Sequence, residues 1–238
     1  MFCYQCEQAA NATGCTKIGI CGKDPKVSSL QELLIYSMKG LALVTFEGRG
    51  HGVNKQDVNT FLTKGLFSTL TNVDFDPARF VTLIRKCIEL REDLKSTVNA
   101  AGGRTDFAHG SASFIPAADM EGLVKQGREV REHVPDAAIN PDIQSLQDIL
   151  LFGLKGVAAY ADHAQILGRT DDRVYAFMAE ALAAMTGTDL GLNEWISLVL
   201  RCGEVNLWTM ELLDAGNTGS YGHPVPTKVP LGAKKGKA

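Results

Sequence analysis

The stretch SLQELLIYSMKGLALV, at residues 29–44, returns as SLQDILLFGLKGVAAY at residues 145–160. Seven of the sixteen positions are identical, and the apolar residues of both copies recur at the spacing of an amphipathic α-helix. An internal repeat of this kind predicts one supersecondary unit used twice. The similarity extends downstream at nearly the same offset, where Thr71, Asp74, Leu83, Cys87 and Glu89 match Thr186, Asp189, Leu198, Cys202 and Glu204.

Helical periodicity occupies most of the chain after residue 28, and strand-like alternation bounded by turns is hard to find. The sequence therefore predicts an all-α fold with two tandem three-helix bundles. In each bundle the apolar stripe of every helix is buried against the other two helices. The helical patterns cover about 29–46, 55–71 and 77–98 in the first copy, and about 145–166, 171–186 and 192–214 in the second.

Local signals mark where several helices start. Ser29 and Glu32 form a capping-box pattern. Asp76-Pro77 and Asn140-Pro141 each place a capping residue before a proline at the first helical position. Another helix is expected over 117–133, between the two copies.

The chain divides into five segments on this interpretation. After about residue 214 it is rich in Gly, Pro and Thr, and its prolines cannot continue a helix. The segments are a Cys-rich loop (1–28), the first bundle (29–100), a connecting loop and helix (101–144), the second bundle (145–214), and an extended tail or a linker to something absent (215–238).

Composition excludes some function classes. The chain has 238 residues, 45% of them hydrophobic, and a formal net charge of −3, whereas a nucleic-acid surface is usually basic. No apolar run near the start resembles a secretory signal, and no stretch is long enough to span a bilayer. We therefore expect a cytoplasmic protein that binds neither nucleic acid nor membrane. In that compartment thiols stay reduced, so clustered cysteines favour metal or redox chemistry.

Four of the six cysteines lie in the first twenty-one residues, with the spacing C-x2-C-x8-C-x5-C. Two cysteines two residues apart can hold the same metal centre from one tight loop, and the longer arm supplies two more thiolates. The interpretations that compete are an iron–sulfur cluster, a structural zinc site, a thioredoxin-like redox pair and disulfides. The context favours the iron–sulfur cluster, because zinc motifs usually contain two close pairs and no βαβ pattern accompanies the C-x-x-C. The candidate ligands are Cys3, Cys6, Cys15 and Cys21.

Two matched pairs of small residues in the repeat have structural interpretations. Cys87 and Cys202 fall on apolar helices, where a reduced cysteine behaves as a small buried hydrophobe. Gly40 and Gly156 each follow a lysine within a helix. Glycine lowers helix stability relative to alanine, so we expect both glycines to mark close backbone approach between helices.

The remaining polar residues form no recognisable catalytic constellation. The sequence contains no phosphate-binding glycine loop and no H-E-x-x-H, and its carboxylates are scattered as solvated faces. The default role of each histidine is packing, capping or solvent exposure rather than metal binding. These residues are His51, His109, His133, His163 and His223.

Five motifs, in order, resemble the N-terminal region of the hybrid-cluster proteins, which are also called prismane proteins or hydroxylamine reductases. The resemblance covers essentially the whole chain. The motifs are MFCYQCEQ at 1–8, SLQELLIYSMKG at 29–40, LFSTLTNVDFD at 66–76, LLFGLKGVAAYADHA at 150–164 and LLDAGNTGSYGHPVPT at 212–227.

The resemblance implies that Cys3, Cys6, Cys15 and Cys21 ligate a 4Fe–4S cubane and that the helices form the family's first domain. It also implies membership of a family that reduces hydroxylamine to ammonia, with nitric oxide reduction proposed as a further role. Electrons from a donor protein would pass through the cubane to a hybrid iron–sulfur–oxygen cluster, which is expected only in the full-length protein. Nickel carbon monoxide dehydrogenases share a related architecture.

The family's hybrid cluster is held by residues beyond the tail of this chain, so no catalytic residue is carried over. The leading hypothesis is therefore an N-terminal electron-relay domain of a hydroxylamine reductase that is inactive by itself. The alternative is a non-enzymatic helical module whose four thiolates hold structural zinc. The identity of the bound metal separates the two hypotheses.

Overall fold

A computed structural model describes residues 1–130, 140–187 and 189–228. Within these ranges the chain forms seven α-helices and no β-strand, which confirms the predicted all-α class. None of the helices found there has the length and apolar character needed to cross a bilayer. The helices are α1 (Pro25–Gly50), α2 (Gln56–Ser68), α3 (Pro77–Ala100), α4 (Met120–Val130), α5 (Pro141–Ile166), α6 (Asp172–Ala184) and α7 (Leu192–Tyr221).

The start of α1 differs from the prediction. The helix begins at Pro25, because the Asp24 carboxylate accepts a hydrogen bond from the Val27 amide at 2.7 Å and proline occupies the first helical position. Ser29 therefore lies inside the helix, where its hydroxyl donates to the Pro25 carbonyl oxygen at 2.8 Å. The capping-box interpretation of Ser29 is wrong.

The other two start signals are confirmed. Asp76 accepts a hydrogen bond from the Ala78 amide at the start of α3, and Asn140 accepts one from the Asp142 amide at the start of α5. The helix expected over 117–133 is α4; residues 131–133 lie outside the described part of the chain.

The end of α7 also differs from the prediction, which placed a linker from residue 215. The helix continues to Tyr221 and ends where Gly222 adopts φ 78°, in the left-handed region. Contacts with the turn after α5 hold this glycine-rich end in helical form. A Cβ on Gly216 would lie 3.1 Å from Leu167 Cβ, and one on Gly219 would lie 3.1 Å from an Arg169 guanidinium nitrogen. The tertiary contacts outweigh the low helix propensity of this stretch.

The two copies of the repeat pack across one another. The first and third helices of each copy pair as expected, α1 with α3 and α5 with α7. The middle helices, in contrast, make their most extensive contacts with the first helix of the other copy, so that α2 lies against α5 and α6 against α1. The buried apolar residues of both copies form one continuous cluster. The division into two bundles at residues 100 and 145 stays a prediction.

Polar contacts reinforce this crossing. Arg49 at the end of α1 donates to both carboxylate oxygens of Asp172 at the start of α6, at 2.9 and 3.0 Å. The same guanidinium donates to the Asn54 and Asn59 side-chain oxygens at 3.0 Å. One partly buried arginine therefore ties α1, α2 and α6 together.

The matched glycines behave differently. A Cβ on Gly40 would lie 2.1 Å from the Ser111 carbonyl oxygen, so the predicted close approach of another backbone is confirmed there. The approaching chain is the short 3-10 helix Gly110–Ala112 rather than an α-helix. Gly156 has open space within 4 Å, and the prediction for that residue is wrong.

Candidate metal centre

The four N-terminal cysteines lie on the segment that precedes α1. Cys3 and Cys15 form an antiparallel bridge, in which the Cys3 amide donates to the Cys15 carbonyl oxygen at 3.1 Å and the Cys15 amide donates back at 2.8 Å. Cys15 is buried, whereas Cys3, Cys6 and Cys21 are partly exposed, and none of the four forms a disulfide. The backbone pairing therefore fixes the first and third cysteines side by side.

The backbone of this loop is adapted to its sulfur atoms. Asn11 and Ala12 adopt φ of 55° and 56°, a conformation that is uncommon for alanine and that lets the chain reverse between Cys6 and Cys15. A Cβ on Gly19 would lie 2.9 Å from the Cys21 Sγ. Glycine at position 19 therefore leaves room for this sulfur.

Two donors approach the Cys3 sulfur. Gln5 Nε2 lies 3.8 Å from Cys3 Sγ, and Lys23 Nζ lies 3.9 Å from it. Lys23 is only 3% exposed, and its ammonium also donates to Gln31 Oε1 at 2.6 Å. Cysteine ligates metals through its sulfur as the thiolate, so both donors face the atom that would bind a metal.

The segment between Cys3 and Cys6 is held by α5. The Tyr4 hydroxyl donates a hydrogen bond to the Asp148 carboxylate, and the Tyr4 ring meets the Phe152 ring edge-on with centroids 5.9 Å apart. Burial, and secondarily the contact with Asp148, raises the pKa of Tyr4 far above its ordinary value. Tyr4 therefore stays protonated and acts as a donor.

Lys155 holds the next residue. Its ammonium donates to Gln5 Oε1 at 2.9 Å and to the Thr69 carbonyl oxygen at 3.3 Å, and the side chain is 1% exposed. Burial lowers the pKa of Lys155 to about 8, against the opposing effect of Glu32. Lys23 contributes to the lowering, so the two ammonium groups are close enough to repel each other. The N-terminal loop is thus bordered by two buried cations.

The four candidate ligands share one loop but do not converge on one point. In residues 1–130, 140–187 and 189–228, no group of three or more His, Cys, Asp or Glu side chains is arranged to hold a single metal ion. The assignment of Cys3, Cys6, Cys15 and Cys21 as ligands stays a prediction.

The other two cysteines are confirmed as core residues. Cys87 is fully buried and Cys202 is 5% exposed. Burial raises the pKa of the Cys87 thiol well above its usual range and that of Cys202 to about 11. Both thiols are therefore inert hydrophobes at neutral pH.

The described histidines take the structural roles expected of them. His109 caps the short helix Gly110–Ala112, since its Nδ1 accepts from the Ser111 amide and lies 2.8 Å from the Ser111 hydroxyl. His163 is exposed with Nδ1 2.6 Å from the Ala159 carbonyl oxygen, and His51 pairs with Glu47 at 3.2 Å. His223 is exposed beyond α7, and His133 lies outside the described residues.

Sequence reasoning missed the residues that support the loop. The expectation that the carboxylates are solvated is wrong for Asp148. This residue is 9% exposed, and its carboxylate accepts a hydrogen bond from the Tyr4 hydroxyl. The available signal was a lysine within the apolar run LLFGLKGVAAY, because a charge at such a position must be buried or turned outward. The supporting residues are Tyr4, Gln5, Lys23, Gln31, Asp148 and Lys155.

Comparison with known proteins places this chain in a family. A model of the Prismane/CO dehydrogenase family matches residues 1–238. Over 238 residues the chain is 61% identical to a hydroxylamine reductase of Syntrophobacter fumaroxidans and 55% identical to one of Methanocella arvoryzae. A hydroxylamine reductase of Solidesulfovibrio magneticus is 51% identical over 240 residues. Each match covers all of this chain but only 43–44% of the relative, so the chain spans less than half the length of these curated relatives.

Proposed function

The chain belongs to the Prismane/CO dehydrogenase family, and on this basis we propose that it is the N-terminal electron-relay part of a hydroxylamine reductase. Relatives of more than twice its length carry that name. In the longer protein the activity is the reduction of hydroxylamine to ammonia, and nitric oxide is a second candidate substrate. No residue of this chain is assigned to catalysis.

The four N-terminal cysteines would hold a 4Fe–4S cluster. The observation that carries this proposal is the pair of buried cations, Lys23 and Lys155, beside the loop of Cys3. Burying an ammonium group is costly, and a thiolate-bound cluster has a net negative charge that would offset the cost. The donor set also fits, since four thiols on one loop are the usual ligands of such a cluster.

When bound, the cluster would accept and release one electron at a time. The residues of this chain would bind the cluster and orient its ligands. Cys3, Cys6, Cys15 and Cys21 would ligate, the Cys3–Cys15 backbone bridge would hold two ligands in register, and Gln5 and Lys23 would donate to the Cys3 sulfur. Three of the four ligands are partly exposed, which would let electrons enter from a donor protein.

The remaining domains of the longer protein would receive these electrons at the hybrid iron–sulfur–oxygen cluster, where the substrate binds. We place the protein in the cytoplasm, where its thiols stay reduced.

Structural zinc bound by the four cysteines is the second candidate. A single zinc ion is bound by sulfur at about 2.3 Å and would draw all four thiolates tightly together. A four-iron cluster is larger and separates its ligands further, so the metal content of the purified protein decides between the two candidates.

The test is an anaerobic visible spectrum of the purified chain, with iron, sulfide and zinc measured on the same sample. We expect a broad visible band that bleaches with dithionite, iron and sulfide in near-equal amounts, and their loss in Cys6→Ser. Cys202→Ala is the matched control, because that thiol is buried in the core and should leave the iron content unchanged. Zinc without a chromophore, in protein prepared with iron and without oxygen, would overturn the electron-relay proposal.

A further inference from the structure

Asp148 and Lys155 lie two helical turns apart on α5, in the second copy of the repeat, and both reach the segment Cys3-Tyr4-Gln5-Cys6. Residues seven apart share one face of a helix. Asp148 accepts from the Tyr4 hydroxyl, and Lys155 donates to the Gln5 side chain. Each of the two residues between the first pair of cysteines is therefore held by a different side chain of the same helix.

The Lys155 contact extends to a second element and to the sulfur. The ammonium also donates to the carbonyl oxygen of Thr69, the residue that follows α2, so its position is fixed from two sides. Gln5 uses its oxygen for Lys155 and directs its amide nitrogen toward the Cys3 sulfur at 3.8 Å. A chain of hydrogen bonds therefore runs from the core of the second repeat to a candidate ligand.

The two buried ammonium groups beside this chain of hydrogen bonds favour a negatively charged group at the cysteine loop. Lys155 and Lys23 are both buried, and the hydrogen bonds that they donate to oxygen go to uncharged groups, namely Gln5, Thr69 and Gln31. Asp148 and Glu32 are close enough to Lys155 to favour its charged form. A reduced iron–sulfur cluster is more negative than an oxidised one, so nearby positive charge stabilises the reduced form.

We propose that Asp148 and Lys155 are positioning residues for the cysteine loop, and that Lys155, with Lys23, raises the reduction potential of the cluster held there. Asp148 anchors Tyr4, and Lys155 anchors Gln5. The charge role rests on the proposed function. The anchoring role does not, because its contacts are made by the protein alone.

Hydrogen exchange tests the anchors without a cluster. The Cys3 and Cys15 amides pair with each other's carbonyl oxygens and so report on opening of the loop. In the iron-free 238-residue chain, Tyr4→Phe and Lys155→Met should each speed exchange of these amides about tenfold, as expected for loss of one buried hydrogen bond. The controls are Tyr160→Phe, also on α5, and Lys64→Met on the exposed side of α2; neither should change exchange. Unchanged exchange in both test variants would overturn the anchoring role.

Anaerobic redox titration tests whether the positive charge of Lys155 raises the reduction potential of the cluster. Lys155→Met should lower the potential so that the ratio of reduced to oxidised cluster falls about tenfold at a fixed applied potential, which is 59 mV for one electron. Lys155→Arg should restore the ratio to within about threefold of the original, and Lys64→Met should leave it unchanged. Lys23→Met supplies a second variant with the same expected direction, should Lys155→Met fold poorly.

The direction in which the reduction potential shifts distinguishes loss of the ammonium charge from loosening of the loop. A loosened loop admits water, which stabilises the more negative reduced form and raises the potential. Loss of an ammonium group lowers it. An unchanged or raised potential in Lys155→Met would overturn the charge role while the proposed cluster stands. Failure of the unaltered chain to bind iron would overturn the proposed function and the charge role together, and hydrogen exchange would still decide the anchoring role.

Discussion

Lys155 Nζ lies 2.9 Å from Gln5 Oε1, although 150 residues separate them along the chain. The lysine belongs to the second copy of the repeat and the glutamine to the cysteine loop. This contact joins the region expected to bind a cofactor to the half of the helical core that lies farther along the sequence. The geometry of the loop therefore depends on residues far from its own motif.

Gln5→Leu should lower the free energy of unfolding by about 1–3 kcal/mol, because the buried Lys155 ammonium loses one of its acceptors. Gln8→Leu, at an exposed position of the same loop, is the matched control and should change stability by less than about 0.5 kcal/mol. Urea denaturation of both variants measures the difference. A double-mutant cycle of Gln5→Leu with Lys155→Met should give a coupling energy of at least about 0.5 kcal/mol. Strictly additive changes in unfolding free energy would contradict the contact.

Gly40→Ala and Gly156→Ala should have opposite effects on stability, although the two positions match in the repeat. The new methyl group at 40 meets the Ser111 carbonyl oxygen and should cost about 1–3 kcal/mol. At 156 it meets no atom within 4 Å and should stabilise helix α5 by about 0.5–1 kcal/mol. Denaturation midpoints of the two variants provide the measurement; equal shifts would show that the close approach at Gly40 is incorrect.

Arg49→Met should destabilise the chain by about 1–2 kcal/mol at neutral pH, since it removes the hydrogen bonds that join α1, α2 and α6. The guanidinium holds the pKa of Asp172 below its ordinary value of 3.8. This stabilisation is therefore complete above pH 3.8 and is lost as the pH falls through the lowered pKa of Asp172.

The measurement is the difference in unfolding free energy between the original chain and Arg49→Met as the pH is lowered. The difference should shrink below pH 3.8. Arg79→Met, at an exposed arginine of α3, serves as the control and should show a small difference at every pH. If the difference in unfolding free energy between the original chain and Arg49→Met stays constant into strong acid, the role of Asp172 is contradicted.

Alkylation should distinguish the partly exposed cysteines of the N-terminal loop from the two cysteines of the helical core. In the folded iron-free chain, iodoacetamide at neutral pH should modify Cys3, Cys6 and Cys21, which are partly exposed. Cys87 and Cys202 should react only after unfolding, because burial hides both thiols and raises their pKa values. Mass spectrometry of peptides from folded and unfolded samples gives the comparison. Rapid modification of Cys87 in folded protein would show that the core around it is not closed.

Much of the fold could be predicted because its determinants are local. Helical periodicity gave the all-α class, and Asp76 and Asn140 gave the starts of α3 and α5. The errors lie where distant contacts decide. Helix α7 continues through a glycine-rich stretch because that stretch packs against the turn at Leu167 and Arg169, which no local signal reveals.

The candidate site shows the same difference between features set by local sequence and features set by distant contacts. Spacing along the sequence was enough to predict the four cysteines as candidate ligands, because all four lie within the first twenty-one residues, and that assignment stays a prediction. The residues that hold this loop could not be found in that way. Asp148 and Lys155 are placed beside Tyr4 and Gln5 only by the folding of α5 against α2. A charged residue within an apolar helix was the one available hint, and it could not name its partner.

The crossed packing of the two copies sets an order of events during synthesis. When the first copy leaves the ribosome, α2 lacks the helix that it packs against most extensively, and α1 lacks α6. The cysteines are then already made, but Asp148 and Lys155 are not. The loop can make its contacts with these two side chains only after α5 has emerged, so any group that binds the loop would meet its final shape late in the synthesis of this chain.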